Sequence, residues 1–308
     1  MNKIMPILIL AVTTFVSAIT SYAHGVDEVD NLSTEKTEVQ IQEEERSRAR
    51  EEEDKKMMEY VKAIKANPDN ADAHYNLAML YDKRGRFNDA ITEYQKTINL
   101  KPELIDARFK LAHIFAEKKM FGYGIHEFEE IIKIDPKNAN AYKYIGLAYY
   151  NQGLLEKAVE EIKKALEIDP NNAEIHYAIE NVYHSMGLLD DAIAELKIAI
   201  KLNPKYEDAH NNLGFIYYEQ GKYEDAIEKF KTAIDINPKS VEAYSNIGLI
   251  YCEKGMFDEA VTVLKKATEV DPTFPDAHNN LGYAYWNKGM KKKAMREVSI
   301  YKQLTGKR

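Results

Sequence analysis

Only one cysteine, Cys252, occurs in 308 residues. A single thiol excludes an intramolecular disulfide and any multi-cysteine metal site. A basic excess is missing too: the formal net charge is −8, and no long basic tract precedes the short cluster Lys291, Lys292, Lys293. A protein that neutralises phosphates needs a basic face, so nucleic acid is not an expected partner. The chain also lacks a phosphate loop, a nucleophile-elbow motif and a serine–histidine–acid set. Those absences argue against an enzyme, and no cofactor is expected.

Long apolar runs are absent beyond the first residues. The start, MNKIMPILILAVTTFVSAITSYAHG, carries Lys3, runs apolar from Ile4 to Ile19 and ends in Ser21-Tyr22-Ala23. That is the layout of a secretory signal peptide over 1–23, with cleavage after Ala23. The run falls short of the roughly 20 residues that span a bilayer. Retention of the same segment as a membrane anchor is the alternative. Residues 24–37 read as an acidic flexible leader. The mature chain is expected outside the cytoplasm, periplasmic or secreted, without an integral membrane span; with the anchor retained it would face the periplasm from the membrane.

What the sequence does have is a period. Prolines stand at 68, 102, 136, 170, 204, 238 and 272, each 34 residues after the last. An apolar-rich run with spacings of three and four precedes each one, as in FEEIIKIDP and FKTAIDINP, which is helical periodicity. Proline then ends the helix, because it has no N–H to donate and biases its predecessor away from helix. A second helix follows, with Tyr81, Phe115, Tyr149, Tyr183, Tyr217, Tyr251 and Tyr285 in one column. Leu77, Leu111, Ile145, Ile179, Leu213, Ile247 and Leu281 lie four residues earlier, on the same face. Turn glycines come next at 85, 153, 187, 221, 255 and 289, then small residues at 90, 158, 192, 226, 260 and 294. The small side chains let two helices cross closely.

These columns resemble the tetratricopeptide repeat, a 34-residue helix–turn–helix. The resemblance covers seven units: 71–104, 105–138, 139–172, 173–206, 207–240, 241–274 and 275–308. Residues 38–70 read as a charged helix and partial repeat, in which MMEYVKAIKANPD matches a second helix. The resemblance implies an all-α fold, a right-handed superhelical solenoid of helix-turn-helix tetratricopeptide repeats. Its first helices would line a concave wall, and neighbouring units would bury the apolar stripe that one pair cannot bury alone. Lys291, in a column otherwise filled by Phe87, Phe121, Leu155, Leu189, Tyr223 and Phe257, marks an end cap.

Two units depart from the pattern. Lys119 takes the place of the turn glycine and Gly124 that of the small alanine, so a locally different turn is expected there. The stretch HYAIENVYH places His176, Glu180 and His184 four apart on a helix. Eight residues of helix hold the two imidazoles about 12 Å apart along the axis, too far to share one metal. His176 aligns with His74, His210 and His278 and reads as a packing residue; Glu180 stands in a column of alanines and glycines. No metal site is expected.

The column before the leucine reads Asn76, Lys110, Tyr144, Ala178, Asn212, Asn246 and Asn280. Asparagine is a mediocre helix former, so its recurrence in mid-helix calls for a reason. In superhelices of the resembled family, asparagines of this column bind the backbone of an extended peptide, an amide being both donor and acceptor. The peptide-binding candidates are therefore Asn76, Asn211, Asn212, Asn246, Asn279 and Asn280, with Tyr150, Phe215, Tyr218, Tyr283 and Trp286 for apolar or aromatic side chains. The same asparagines also suit a purely architectural place in the repeat. Lys110, Tyr144 and Ala178 break the run, which argues against one groove along the whole chain. Cys252 reads as a small buried apolar residue, its alternative being a groove thiol open to a mixed disulfide.

The expected function is a non-enzymatic interaction scaffold or adaptor that holds a protein or peptide segment within an envelope assembly. Self-association through the ends of the stack is open to it. The alternatives are a membrane-tethered assembly factor and a ligand- or metal-binding enzyme component.

Overall fold

The structure, a computed structural model, describes residues 35–306, with side chains from residue 47 onward. The signal segment 1–23 and the leader as far as residue 34 lie outside these residues. Among the described residues there are 15 helices and no strand. They are α1 (Glu35–Ala66), α2 (Ala71–Lys83), α3 (Phe87–Leu100), α4 (Ile105–Glu117), α5 (Phe121–Ile134), α6 (Ala139–Asn151), α7 (Leu155–Ile168), α8 (Ala173–Ser185), α9 (Leu189–Leu202), α10 (Glu207–Glu219), α11 (Tyr223–Ile236), α12 (Val241–Glu253), α13 (Phe257–Val270), α14 (Pro275–Asn287) and α15 (Lys291–Thr305).

The described residues form two compact units, 35–188 and 189–306, divided at the turn inside the fourth repeat. Within each unit, successive helices pack as neighbours in chain order. The core repeats as well. Ala90, Tyr94 and Leu111 are buried in the first unit, and Ala226, Phe230 and Ile250 in the second.

Local chemistry explains the breaks between helices. Before each of several prolines an Asn or Asp side chain accepts from the backbone two residues on, as Asn67 does from Asp69 (3.1 Å), Asn237 from Lys239 (3.0 Å) and Asp271 from Thr273 (2.7 Å). Asn70 and Asn138 then cap α2 and α6 by accepting from Ala73 and Ala141. Between the helices of a pair, Gly85, Gly153, Gly187, Gly221, Gly255 and Gly289 have φ of 67–76°. Lys119 adopts φ 57°, and Met120 N–H reaches Phe115 C=O at 2.8 Å as Arg86 N–H reaches Tyr81 C=O at 2.8 Å. The turn is thus the same one, not the different turn expected; hydrogen bonding holds a lysine in the left-handed region at a cost of about 1–2 kcal/mol.

The first helix also differs from expectation. It begins at Glu35, inside the stretch read as a leader, and runs without a turn into MMEYVKAIKA. Glu, Lys, Arg and Met favour helix, and no Gly or Pro interrupts them. Polar contacts join α1 to α2: Arg84 Nη1 reaches Asp54 Oδ1 at 2.5 Å, and Glu53 accepts from both Lys83 (2.5 Å) and Arg84 (3.2 Å).

Candidate functional site

In the second unit the first helices α10, α12 and α14 adjoin one another. Asn212 and Asn246 are half-buried on these helices. Neither amide atom of Asn246 makes a hydrogen bond among the described residues. The neighbouring column holds Asn211 and Asn279, each half-buried with a buried Oδ1 that has no partner among the described residues. Asn280 is placed differently from its column mates. It is 7% exposed, its Nδ2 donates to Ser245 Oγ at 3.4 Å, and its backbone carbonyl accepts from Cys252 Sγ at 3.9 Å. Asn280 therefore lies in the seam between α12 and α14 rather than open on the wall. Ser245 is the small polar neighbour that admits it.

Four of the aromatic candidates separate into two clusters. Phe215 and Tyr218 stand side by side, ring centroids 6.2 Å apart. Tyr218 is buried and its phenol donates to Glu253 Oε1 at 2.6 Å. Burial, and then Glu253, push its phenol well above the usual range. Tyr283 and Trp286 are half-buried against Val298, and Lys291 Nζ lies 5.7 Å from the centre of the indole ring. Lysine in place of the usual aromatic or leucine thus covers the last repeat with a stem and a charge.

Asn76 and Tyr150 belong to the other compact unit. Asn76 Nδ2 donates to Asp72 C=O at 2.7 Å in its own helix, and the side chain lines a cavity of about 480 Å³ with Lys56, Tyr60, Asp82 and Lys110. Tyr150 pairs its hydroxyl with Ser185 Oγ at 3.0 Å. In the same unit Lys143 is buried, with Nζ 2.8 Å from Glu174 Oε2.

The histidine column has an architectural role that the sequence alone did not reveal. Nε2 of His74, His176, His210 and His278 donates to the carbonyl of the proline six residues earlier, at 2.9, 3.0, 3.1 and 2.9 Å. Arg108 Nε does the same to Pro102 at 3.2 Å. The other ends of His74, Arg108 and His278 meet Glu93, Glu127 and Glu297, nineteen residues on. His210 has Lys229 at that spacing, and its Nδ1 is buried without a partner among the described residues. Burial first, and Lys229 after it, hold His210 below the ordinary histidine range despite the Pro204 carbonyl.

HYAIENVYH is part of this scheme. His176 is 8% exposed and Glu180 is 1% exposed. Among the described residues no group of three or more His, Cys, Asp or Glu side chains could hold a metal ion. Cys252 is 4% exposed in a cluster with Leu264 and Leu281; burial, then Glu253, pushes its thiol up to about 12. It is a core residue, not a groove thiol poised for exchange.

Paired helices, left-handed turns, a proline every 34 residues and a small-residue crossing define a helical-repeat solenoid. A TPR repeat model matches 80–119, 146–187, 181–221, 216–255 and 248–289, and a tetratricopeptide repeat model matches 59–92. The chain belongs to the tetratricopeptide repeat family, whose members are generally non-enzymatic and bind protein or peptide partners. Among curated proteins none matches the chain. Among solved structures it is similar to yeast Tom70, with 18% identity over 82% of this chain and 55% of that one (TM-score 0.65). A chain of the APC/C hetero-tetramer Cut9–Hcn1 gives 18% identity over 76% and 46% (TM-score 0.60). MamA gives 34% identity over 53% and 95% (TM-score 0.47).

Proposed function

We propose that this chain is a non-enzymatic scaffold outside the cytoplasm that holds an extended peptide or protein segment against α10, α12 and α14, within an envelope assembly. The observation that carries the reading is Asn246. Its half-buried amide stands in mid-helix, without a hydrogen bond among the described residues, in the same column as Asn212. A carboxamide in that place offers both a donor and an acceptor to a peptide backbone, whatever its side chains. Phe215, three residues after Asn212 on α10 and packed beside Tyr218, supplies an apolar surface. The signal-peptide layout of residues 1–23 supports export. Retention of residues 4–19 makes the same scaffold a tethered assembly factor. No described helix is long and apolar enough to cross a membrane.

The test is capture of partners by the full chain from its own cells, against a variant carrying both Asn212→Ala and Asn246→Ala. Loss of a partner at unchanged melting temperature is the expected result. Equal capture by the double variant overturns the role of the asparagines. The mass of the chain recovered from cells decides whether residues 1–23 are removed.

A further inference from the structure

We propose that Lys110, His113, Lys143 and Tyr144 form a second docking site, for an acidic peptide segment, and that Glu174 occupies it as an internal stand-in for the ligand's carboxylate. The site lies on α4, α6 and α8 of the unit that ends at Leu188, so its failure leaves the reading of α10–α14 standing.

Lys143 is the anomaly that leads there. Its column reads Tyr75, Phe109, Lys143, Tyr177, Asn211, Ser245 and Asn279, so a lysine is the one charged residue among aromatic and small polar side chains. The side chain is 5% exposed, and its ammonium meets one carboxylate, Glu174 Oε2 at 2.8 Å, which is itself 69% exposed. The ammonium also lies 4.7 Å from the centre of the Tyr144 ring. A buried cation held by a single solvated carboxylate can exchange it for another carboxylate without ever being left bare, which is the costly state. Phe109 and Phe128 pack around Tyr144, at 6.1 and 5.4 Å between ring centres, and give the exchange an apolar surround.

Neighbouring groups set the charge of the patch. His113 meets Tyr144 edge-on at 4.6 Å. Burial first, then Lys110 and Lys143, hold its imidazole below the ordinary range, with Glu117 acting against them. Lys110 is exposed and makes no ion pair among the described residues. The charged groups facing His113 are thus Lys110 and Glu117 on α4 and Lys143 on α6, with Glu174 beyond them on α8. An incoming carboxylate is drawn by Lys110, accepts from Lys143 and releases Glu174 to water. The group already held at Lys143 is a carboxylate, which identifies the ligand as Asp or Glu side chains. Their negative charge beside His113 raises its pKa on binding.

The experiment follows the His113 ring by NMR in the full chain at low salt, with an N-acetylated, C-amidated hexaglutamate peptide as the probe. Saturable shifts and an upward move of the His113 titration are expected. Glu174→Gln, which removes the internal competitor, is expected to tighten binding several-fold. Lys143→Met is expected to weaken it about tenfold, the worth of one charge-assisted hydrogen bond. Lys110→Ala, at an exposed position, keeps the test valid should the Lys143 variant misfold, and is expected to weaken binding as well. Absence of a saturable shift overturns the proposal. So does binding unchanged in Glu174→Gln and Lys110→Ala, or the same shift produced by inorganic phosphate at equal concentration.

Discussion

The phenol of Tyr218 on α10 donates to Glu253 Oε1 on α12 at 2.6 Å, and Tyr150 on α6 is matched with Ser185 on α8 at 3.0 Å. Both links span 35 residues, one more than the repeat, and so tie the last turn of one first helix to that of the next. Tyr218 is therefore held in place by the stack before any ligand arrives. Tyr218→Phe keeps the ring packing and loses the bond, and is expected to cost about 1 kcal/mol. Urea unfolding measures it; a cost near zero would mean that water replaces Glu253 without loss.

Lys119 stands at φ 57° where its counterparts are glycines. At Gly85, Gly153, Gly187, Gly221, Gly255 and Gly289 nothing lies within 4 Å of an added Cβ, so the turn demands a backbone conformation rather than space. Lys119→Gly is expected to stabilise the chain by about 1 kcal/mol. Thermal unfolding checks it, with Lys118→Gly as the control expected to destabilise.

Among the described residues His210 meets no carboxylate of the kind that His74 and His278 meet, and it has Lys229 at the same spacing. Its pKa is lowered by burial and by Lys229. The unfolded chain therefore binds the extra proton first. Stability from this site is present above the unfolded value of about 6.5 and is lost as pH falls from there towards the folded value. Lys229→Glu gives the buried Nδ1 a partner and is expected to stabilise the chain by about 1 kcal/mol. Its advantage over the wild type is expected to widen between about pH 7.5 and pH 5. Denaturant titrations at several pH values read the difference; a constant gap would contradict this account of His210.

Gly248 lies where α12 crosses α13. A Cβ there would come within 2.3 Å of Leu264 Cγ, whereas at Gly282 the nearest atom, Val298 Cγ2, is 3.1 Å away. Gly248→Ala is expected to destabilise by about 1–3 kcal/mol through overpacking. Gly282→Ala is expected to be close to neutral, because better helix propensity offsets the milder contact. Equal effects at the two positions would show that Leu264 repacks freely.

The fold was legible because its information is periodic. A proline at Pro102 and again at Pro136, with Tyr81 and Phe115 in register, states a helix pair whichever neighbours it meets. The candidate site was legible only as columns. Asn246 and Asn280 share a column, yet Asn280 is buried against Ser245 because that neighbour is small and polar, a fact carried by a different helix. The histidine contact with the proline carbonyl was missed because its partner is a backbone atom, which a column of side chains does not display. A six-residue spacing from proline to histidine, as in Pro204 and His210, was the available signal. The Lys119 turn was not legible because residue type argues for a different turn, whereas the hydrogen bond from Met120 N–H to Phe115 C=O fixes the same backbone.

The most direct test of the central claim is photocrosslinking in cells from position 246, on the first-helix face of α12, against position 265, an exposed site on α13. A discrete adduct from 246 and none from 265 is the expected result, and mass spectrometry of that adduct names the partner. Equal adducts from both positions, or none from either, would contradict a peptide-holding face on α10, α12 and α14.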